Sequence, residues 1–159
     1  STPILRADPE RRPTVAVYDI QVTLPGELPL ERFRFDSGRF ELVFGDRRKR
    51  LTLWRWSPAD IALRHHDGAL LNFARKSGLP LTPGLAAVPR PVPQGLEWRW
   101  PVKRSRFIRL PRRRKRRLPP GIFRIWHRTV ENRILAARGD GDLDYETFVD
   151  ICRGYEIIS

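Results

Sequence analysis

The sequence predicts an α+β fold: an N-terminal antiparallel β-meander or small open barrel with packed helices, then a C-terminal helical part beyond a proline- and arginine-rich connection. Three observations predict it. Between residues 14 and 56, runs of β-branched and aromatic residues are separated by short polar turns. Between residues 122 and 135, apolar residues recur at helical spacing. Between these regions lie Pro80, Pro83, Pro89, Pro91 and Pro93, which a regular element would not tolerate.

Residues 1–13 are polar and proline-broken and read as a tail. In the strand-like stretch from Thr14, the residues Val15, Val17, Ile20, Val22 and Leu24 are apolar, and Pro25-Gly26 ends it. Leu30 to Phe35 alternates, with Arg32 and Arg34 against Phe33 and Phe35. Asp36-Ser37-Gly38 supplies turn chemistry before Phe40–Phe44, and Gly45-Asp46 turns the chain again into Arg50–Trp56. These three strands form the expected meander. Ser57 is the expected N-cap of a short helix over 58–66, with Pro58 at its first position and Asp60 at the positive end of the dipole. Asp67-Gly68 breaks that helix, and a second one spans 69–77. The first folded unit is therefore 14–78 and the proline-rich connection 79–95. Residues 96–159 hold a basic strand or loop segment and C-terminal helices, packing with 14–78 as one unit. Leu96–Leu110 reads as a strand or hairpin with Pro101 at a bend. Ile122, Ile125, Trp126, Val130, Ile134 and Leu135 share one face of a predicted long helix ended by Gly139. Asp144 would cap a last helix over Tyr145–Cys152.

The formal net charge of the 159 residues is +13, and all but four of the 31 basic residues are arginine. A guanidinium offers phosphate a planar donor fork and stacks on aromatic rings, which an ammonium does poorly. The charge is not scattered. Residues 90–128 carry 14 basic residues against the single acid Glu97, and the two flanking regions cancel one another. Arg112, Arg113, Arg114, Lys115, Arg116 and Arg117 run without interruption, a block that repels itself and does not belong in a core. Such a segment is the expected footprint of a polyphosphate binder. A solvated tether or an import signal is the plainer reading of the same residues. The candidate nucleic-acid-binding residues are Arg104, Arg106, Arg109, Arg112, Arg113, Arg114, Lys115, Arg116 and Arg117, continued by Arg124 and Arg128 on the predicted long helix.

Two Trp-Arg-Trp triplets, Trp54-Arg55-Trp56 and Trp98-Arg99-Trp100, place both tryptophans of a pair on one side of a strand. Exposed, Trp54, Trp56, Trp98 and Trp100 would stack unpaired bases, worth about 1–3 kcal/mol per base. Buried, they would fill the core and leave Arg55 and Arg99 on the outer face, and the need for large core residues favours that outcome. Helices 58–66 and 69–77 have helix-turn-helix proportions, with Asn72, Arg75 and Lys76 on the second. The turn between them departs from that motif.

No catalytic constellation emerges. His65 and His66 are adjacent and point apart on a helix, His127 stands alone, and the single cysteine, Cys152, builds neither a disulfide nor a zinc site. Asp140, Asp142 and Asp144 alternate like the start of a calcium loop but lack its closing glutamate, and read as a capping turn. No phosphate-binding glycine loop or hydrolase motif is present. No cofactor or metal is expected. A chain starting at Ser1 without Met is what loss of an initiator methionine leaves, and no leader, lipidation motif or long apolar run is seen, so a reducing cytoplasmic, nucleoid or nuclear setting is expected. The expectation is a non-enzymatic RNA- or DNA-binding protein with low sequence specificity, a subunit of a larger nucleoprotein complex and without a membrane partner. The rivals are an interaction adaptor using the proline-rich stretch as a polyproline ligand and a metal-dependent nuclease.

Overall fold

The computed structural model describes residues 4–6, 13–26, 28–77, 79, 85, 87–100 and 121–158. Among the described residues the fold is mostly β, with 49% in strands and 19% in helices, so the expected α+β class with a helical C-terminal part is overturned. Eleven strands form two antiparallel sheets among the described residues. The larger contains β4 (Leu30–Asp36), β5 (Arg39–Gly45), β6 (Lys49–Trp56), β7 (Arg90–Val92), β8 (Gly95–Trp100), β9 (Gly121–Arg128) and β10 (Arg133–Gly141). Its order is β4-β5-β6-β10-β9-β8-β7. The smaller is ordered β1-β2-β3-β11, from β1 (Ile4–Arg6), β2 (Thr14–Val17), β3 (Ile20–Thr23) and β11 (Glu156–Ile157).

The large sheet is covered on both faces, and this explains how the helix at 122–135 was misread. One face carries Phe40, Leu42, Phe44, Leu51, Leu53, Trp126, Leu135 and Ala137 against the small sheet and α3 (Tyr145–Arg153). The other carries Trp54, Trp56, Trp98, Phe123, Ile125, Ile134 and Ala136 against α1 (Ala59–Arg64) and α2 (Leu70–Lys76). A strand buried on both faces has no polar positions at every second residue, so its period of two disappears. In β9 and β10 the apolar pairs Ile122-Phe123, Ile125-Trp126 and Ile134-Leu135, with Val130 of the turn between the last two, then fall three or four apart like a helical stripe. The residues are β-branched and aromatic, as a buried strand requires. Thr129 to Asn132 form the turn, with Asn132 at φ 56°, and Val130, expected in the core, is 94% exposed. Gly139 ends no helix. It lies inside β10, where an added Cβ would stand 2.8 Å from Leu143 and 2.9 Å from Phe148 of α3.

Other expectations shift for equally local reasons. The stretch from Thr14 is two strands of the small sheet, because Tyr18 adopts φ 51° and turns the chain so that Val17 pairs with Ile20. Within the stretch expected to be an extended connection, Arg90–Val92 pairs with Gly95–Glu97 across a turn holding Gln94 at φ 64°. Neither Ser57 nor Pro58 plays its expected part in α1. Pro58 precedes the helix, and the capping acceptor comes from the β9–β10 turn: Asn132 Oδ1 accepts from the Asp60 amide at 2.9 Å and Asn132 O from the Ala59 amide at 3.0 Å. Asp144 caps α3 through its carboxylate, which accepts from the Thr147 amide at 2.7 Å. Arg55 does face away from Trp54 and Trp56, but that side is a core as well. Its Nε lies 3.0 Å from Asp19 Oδ1 and its guanidinium 4.3 Å above the Phe40 ring, and burial pulls its pKa down.

Candidate nucleic-acid interface

The candidate residues Arg104, Arg106, Arg109, Arg112, Arg113, Arg114, Lys115, Arg116 and Arg117 lie outside the described residues, within 101–120. What is described is where that segment attaches. Trp100 at the end of β8 and Gly121 at the start of β9 are direct register partners. Both ends of the segment are therefore anchored at one end of the large sheet. Following the register sideways, Gly121 pairs with Asp140, Asp140 with Arg50 and Arg50 with Gly45. The β5–β6 turn, Asp46-Arg47-Arg48-Lys49, is thus at the same end of the sheet as the attachment points, although more than fifty residues separate the two in sequence.

That turn is tightly held. The Asp46 carboxylate accepts from the backbone amides of Arg48 at 2.8 Å and Lys49 at 3.1 Å, which keeps its pKa below the ordinary carboxylate value. The Asp46 amide donates to Lys49 O at 2.9 Å, and the Asp142 amide donates to Arg48 O at 2.7 Å. Gly141, at φ 70°, allows the close approach, since a Cβ there would stand 2.1 Å from Arg48 O. The backbone is fixed while the Arg47 and Arg48 side chains are exposed, and neither makes an ion pair among the described residues. The carboxylates close by are mostly engaged: Asp46 with the turn amides, Asp140 with Arg138 Nε at 2.6 Å, and Asp144 with α3. Asp142 is exposed beside Arg48 and Lys49.

The remaining candidates are differently placed. Arg124 is on β9, turned toward α3, and donates to Glu97 Oε2 at 2.8 Å. Glu97 is only 1% exposed and accepts also from Arg99 Nε at 2.9 Å and Tyr145 Oη at 3.4 Å, while the Arg99 guanidinium lies 3.7 Å above the Tyr145 ring. Burial alone would raise the Glu97 pKa, but the arginine hydrogen bonds outweigh it and hold the carboxyl below its usual value. Arg128 donates to Glu131 at 2.7 and 3.3 Å. Both arginines answer the protein's own carboxylates, and the helix on which they were expected to extend a basic surface is absent. Trp54, Trp56 and Trp98 are interior, and Trp100 is partly buried against the same core beneath α1 and α2, so the base-stacking role conceived for them has no free ring face in the first three. Of the helix-turn-helix candidates, Arg75 donates to Leu85 O at 2.9 Å and so holds the chain that follows α2.

Two features escaped the sequence reading. The run Arg47-Arg48-Lys49-Arg50 is visible by the same counting that found 112–117, but its meaning depends on which other segment the sheet brings beside it. The second feature is the exposed ring of Tyr18, stacked on Phe35 beside Phe33; the alternation of Phe33 and Phe35 with Arg32 and Arg34 is visible in the sequence, and the contact with Tyr18 is not. Among the described residues no group of three or more His, Cys, Asp or Glu side chains is placed to hold a metal ion. No helix there is long and apolar enough to cross a membrane. Cys152 is buried on the inner face of α3, and desolvation pushes its thiol up to about 12, so it has no thiolate character near neutral pH. Comparison of the chain with known protein families, with curated proteins and with solved structures finds no match.

Proposed function

We propose that this chain is a non-enzymatic nucleic-acid-binding protein that grips the phosphate backbone with little sequence preference, as a subunit of a nucleoprotein assembly. One observation carries the reading: two basic runs distant in sequence, 47–50 and 101–120, are joined to the same end of one sheet, the first as its β5–β6 turn and the second through its attachment residues Trp100 and Gly121. The second of them supplies ten of the thirteen net positive charges and contains no Asp or Glu. Arginines without neighbouring base-reading side chains contact phosphates and set orientation, not sequence. A β-sheet frame that anchors both ends of the segment sets where those arginines begin and end.

The test is a titration of labelled duplex and single-stranded RNA and DNA across salt concentration, with and without EDTA. With about 6–8 phosphate contacts, the log–log slope on duplex should lie near −5 to −7. Binding should be unaffected by EDTA and the oligonucleotides should remain intact. A slope shallower than about −2 would contradict backbone recognition. Cleavage that EDTA abolishes would identify a metal-dependent nuclease instead.

A further inference from the structure

The strand β4 forms one edge of the large sheet, and no further strand pairs with its outer side among the described residues. Its alternation sorts two chemistries onto its two sides. Phe33 and Phe35, opposite Leu42 and Phe40, face the side of the small sheet, and Arg32 and Arg34, opposite Val43 and Glu41, face the other. All four are exposed: the phenylalanines by 46% and 54%, and the arginine side chains by 67% and 69%. The β2–β3 turn brings Tyr18, itself 56% exposed, onto the same aromatic side. Its ring stacks on Phe35 with centroids 5.5 Å apart and planes 19° apart. Phe40 closes the cluster from below, 4.5 Å from Phe35 and 4.7 Å from Tyr18. Tyr18 holds φ 51°, a region in which glycine, asparagine or aspartate is the usual choice and a ring is not.

Edge strands are commonly guarded by charge, and the arginines of β4 fit that role. Guarding does not explain three large rings left in water beside them. The edge also begins at the basic end of the sheet, where Leu30 pairs with Phe44 and Arg50 reaches Glu31 at 3.5 Å. From Leu30 to Phe35 the strand covers about 17 Å at about 3.3 Å per residue. Along it Arg50, Arg32 and Arg34 follow the turn arginines 47 and 48. Their carboxylate contacts are a 4.0 Å approach of Arg32 to Glu41, a 3.0 Å pair of Arg34 with Asp36, and the Arg50–Glu31 contact.

We propose that this edge is a track for a single strand of nucleic acid, with unpaired bases stacked on Tyr18, Phe33 and Phe35 while Arg32 and Arg34 follow the backbone. The inference rests on the nucleic-acid reading above and narrows its ligand to one with unpaired bases. Every base has a π-face, so such a platform adds affinity without adding sequence preference. Aliphatic protein side chains would use the rings equally well, but the arginines on the other side of the same edge strand and the large positive charge of the chain favour a polyanion that wraps the edge.

The test compares a fluorescein-labelled oligothymidylate with an abasic oligomer of the same length and charge, using anisotropy on the full chain. The unmodified protein should bind the thymidylate at least about tenfold more tightly. Phe35→Leu, which keeps apolar volume, and Tyr18→Ser, at a half-exposed site, should each remove most of that difference and leave abasic affinity unchanged. Phe35→Trp should restore or widen it, and thermal melts of each variant verify folding. Equal affinity of the unmodified protein for the two oligomers would overturn the track while leaving backbone binding intact. A thymidylate preference that survives both ring variants would likewise overturn it and turn these rings toward a protein contact. Binding to neither oligomer while duplex is bound would overturn the track alone, and binding to neither oligomer nor duplex would overturn the nucleic-acid reading itself.

Discussion

The sheet framework and the segment 101–120 carry the same arginine side chain in sequences of opposite composition, one interleaved with carboxylates and the other without any. In the framework the buried and half-buried ones are answered: Arg55 and Arg133 share Asp19, Arg99 and Arg124 share Glu97, Arg128 meets Glu131, and Arg138 meets Asp140. Several are deep enough that removing the carboxylate would strand a buried cation. The segment between β8 and β9 has ten basic residues and no acid of its own. Counting arginines along the chain treats the two groups alike. Which framework cations hold the structure depends on which carboxylates the fold delivers to which strand, and sequence counting does not carry that information.

The sharpest way to break this comparison is at Glu97. Glu97→Ala leaves Arg124 buried without its partner, and stability should fall by about 3–5 kcal/mol in urea unfolding, while the folded fraction still binds oligonucleotide. The same contact predicts acid sensitivity. The folded Glu97 pKa is depressed, so its contribution is complete above the unfolded value of about 4.3 and is lost as pH falls through the folded value. Unfolding measured down that range should show a loss in the parent protein that Glu97→Gln lacks. Next in size, replacing Arg112, Arg113, Arg114, Arg116 and Arg117 with Ser should reduce duplex binding by at least about a hundredfold near 0.1 M salt and flatten the salt slope by about 4. Its melting temperature should not move. A variant that unfolds would show that these arginines also belong to the framework. Smallest is Arg47→Ser with Arg48→Ser, expected to weaken binding several-fold and to reduce the slope by about 2, again without loss of stability.

The legible part of the fold was the part bracketed by turn residues: β5 and β6, largely buried, are as plain in the sequence as the open β4. Strand β4 keeps a clean alternation because its ring side and its guanidinium side are both open, and Asp36-Ser37-Gly38 and Gly45-Asp46 mark their turns chemically. The β9–β10 hairpin lacks that mark, since its turn Thr129-Val130-Glu131-Asn132 has neither Gly nor Pro; with two cores pressing on it, polar spacing disappears and a strand pair acquires the look of an amphipathic helix. Arg55 failed likewise, since alternation placed it opposite the tryptophans correctly but could not say that Val15, Val17 and their sheet cover that side too. At the site, composition alone singled out 112–117. The companion turn 47–50 and the Tyr18–Phe35 stack depend on contacts across the register and between two sheets, which linear spacing does not encode.

The opposition of Trp100 and Gly121 gives the chain an unusual kind of modularity. Two neighbouring strands already in register can be joined by two residues or by twenty, and each doubling of the connecting length costs only about 0.6 kcal/mol of closure entropy. Insertions and deletions between them therefore hardly tax the scaffold, and the number of cations presented can drift or be engineered almost independently of folding. A cartridge of this kind can be shortened to an Asn-Gly hairpin, lengthened, or moved to another antiparallel frame.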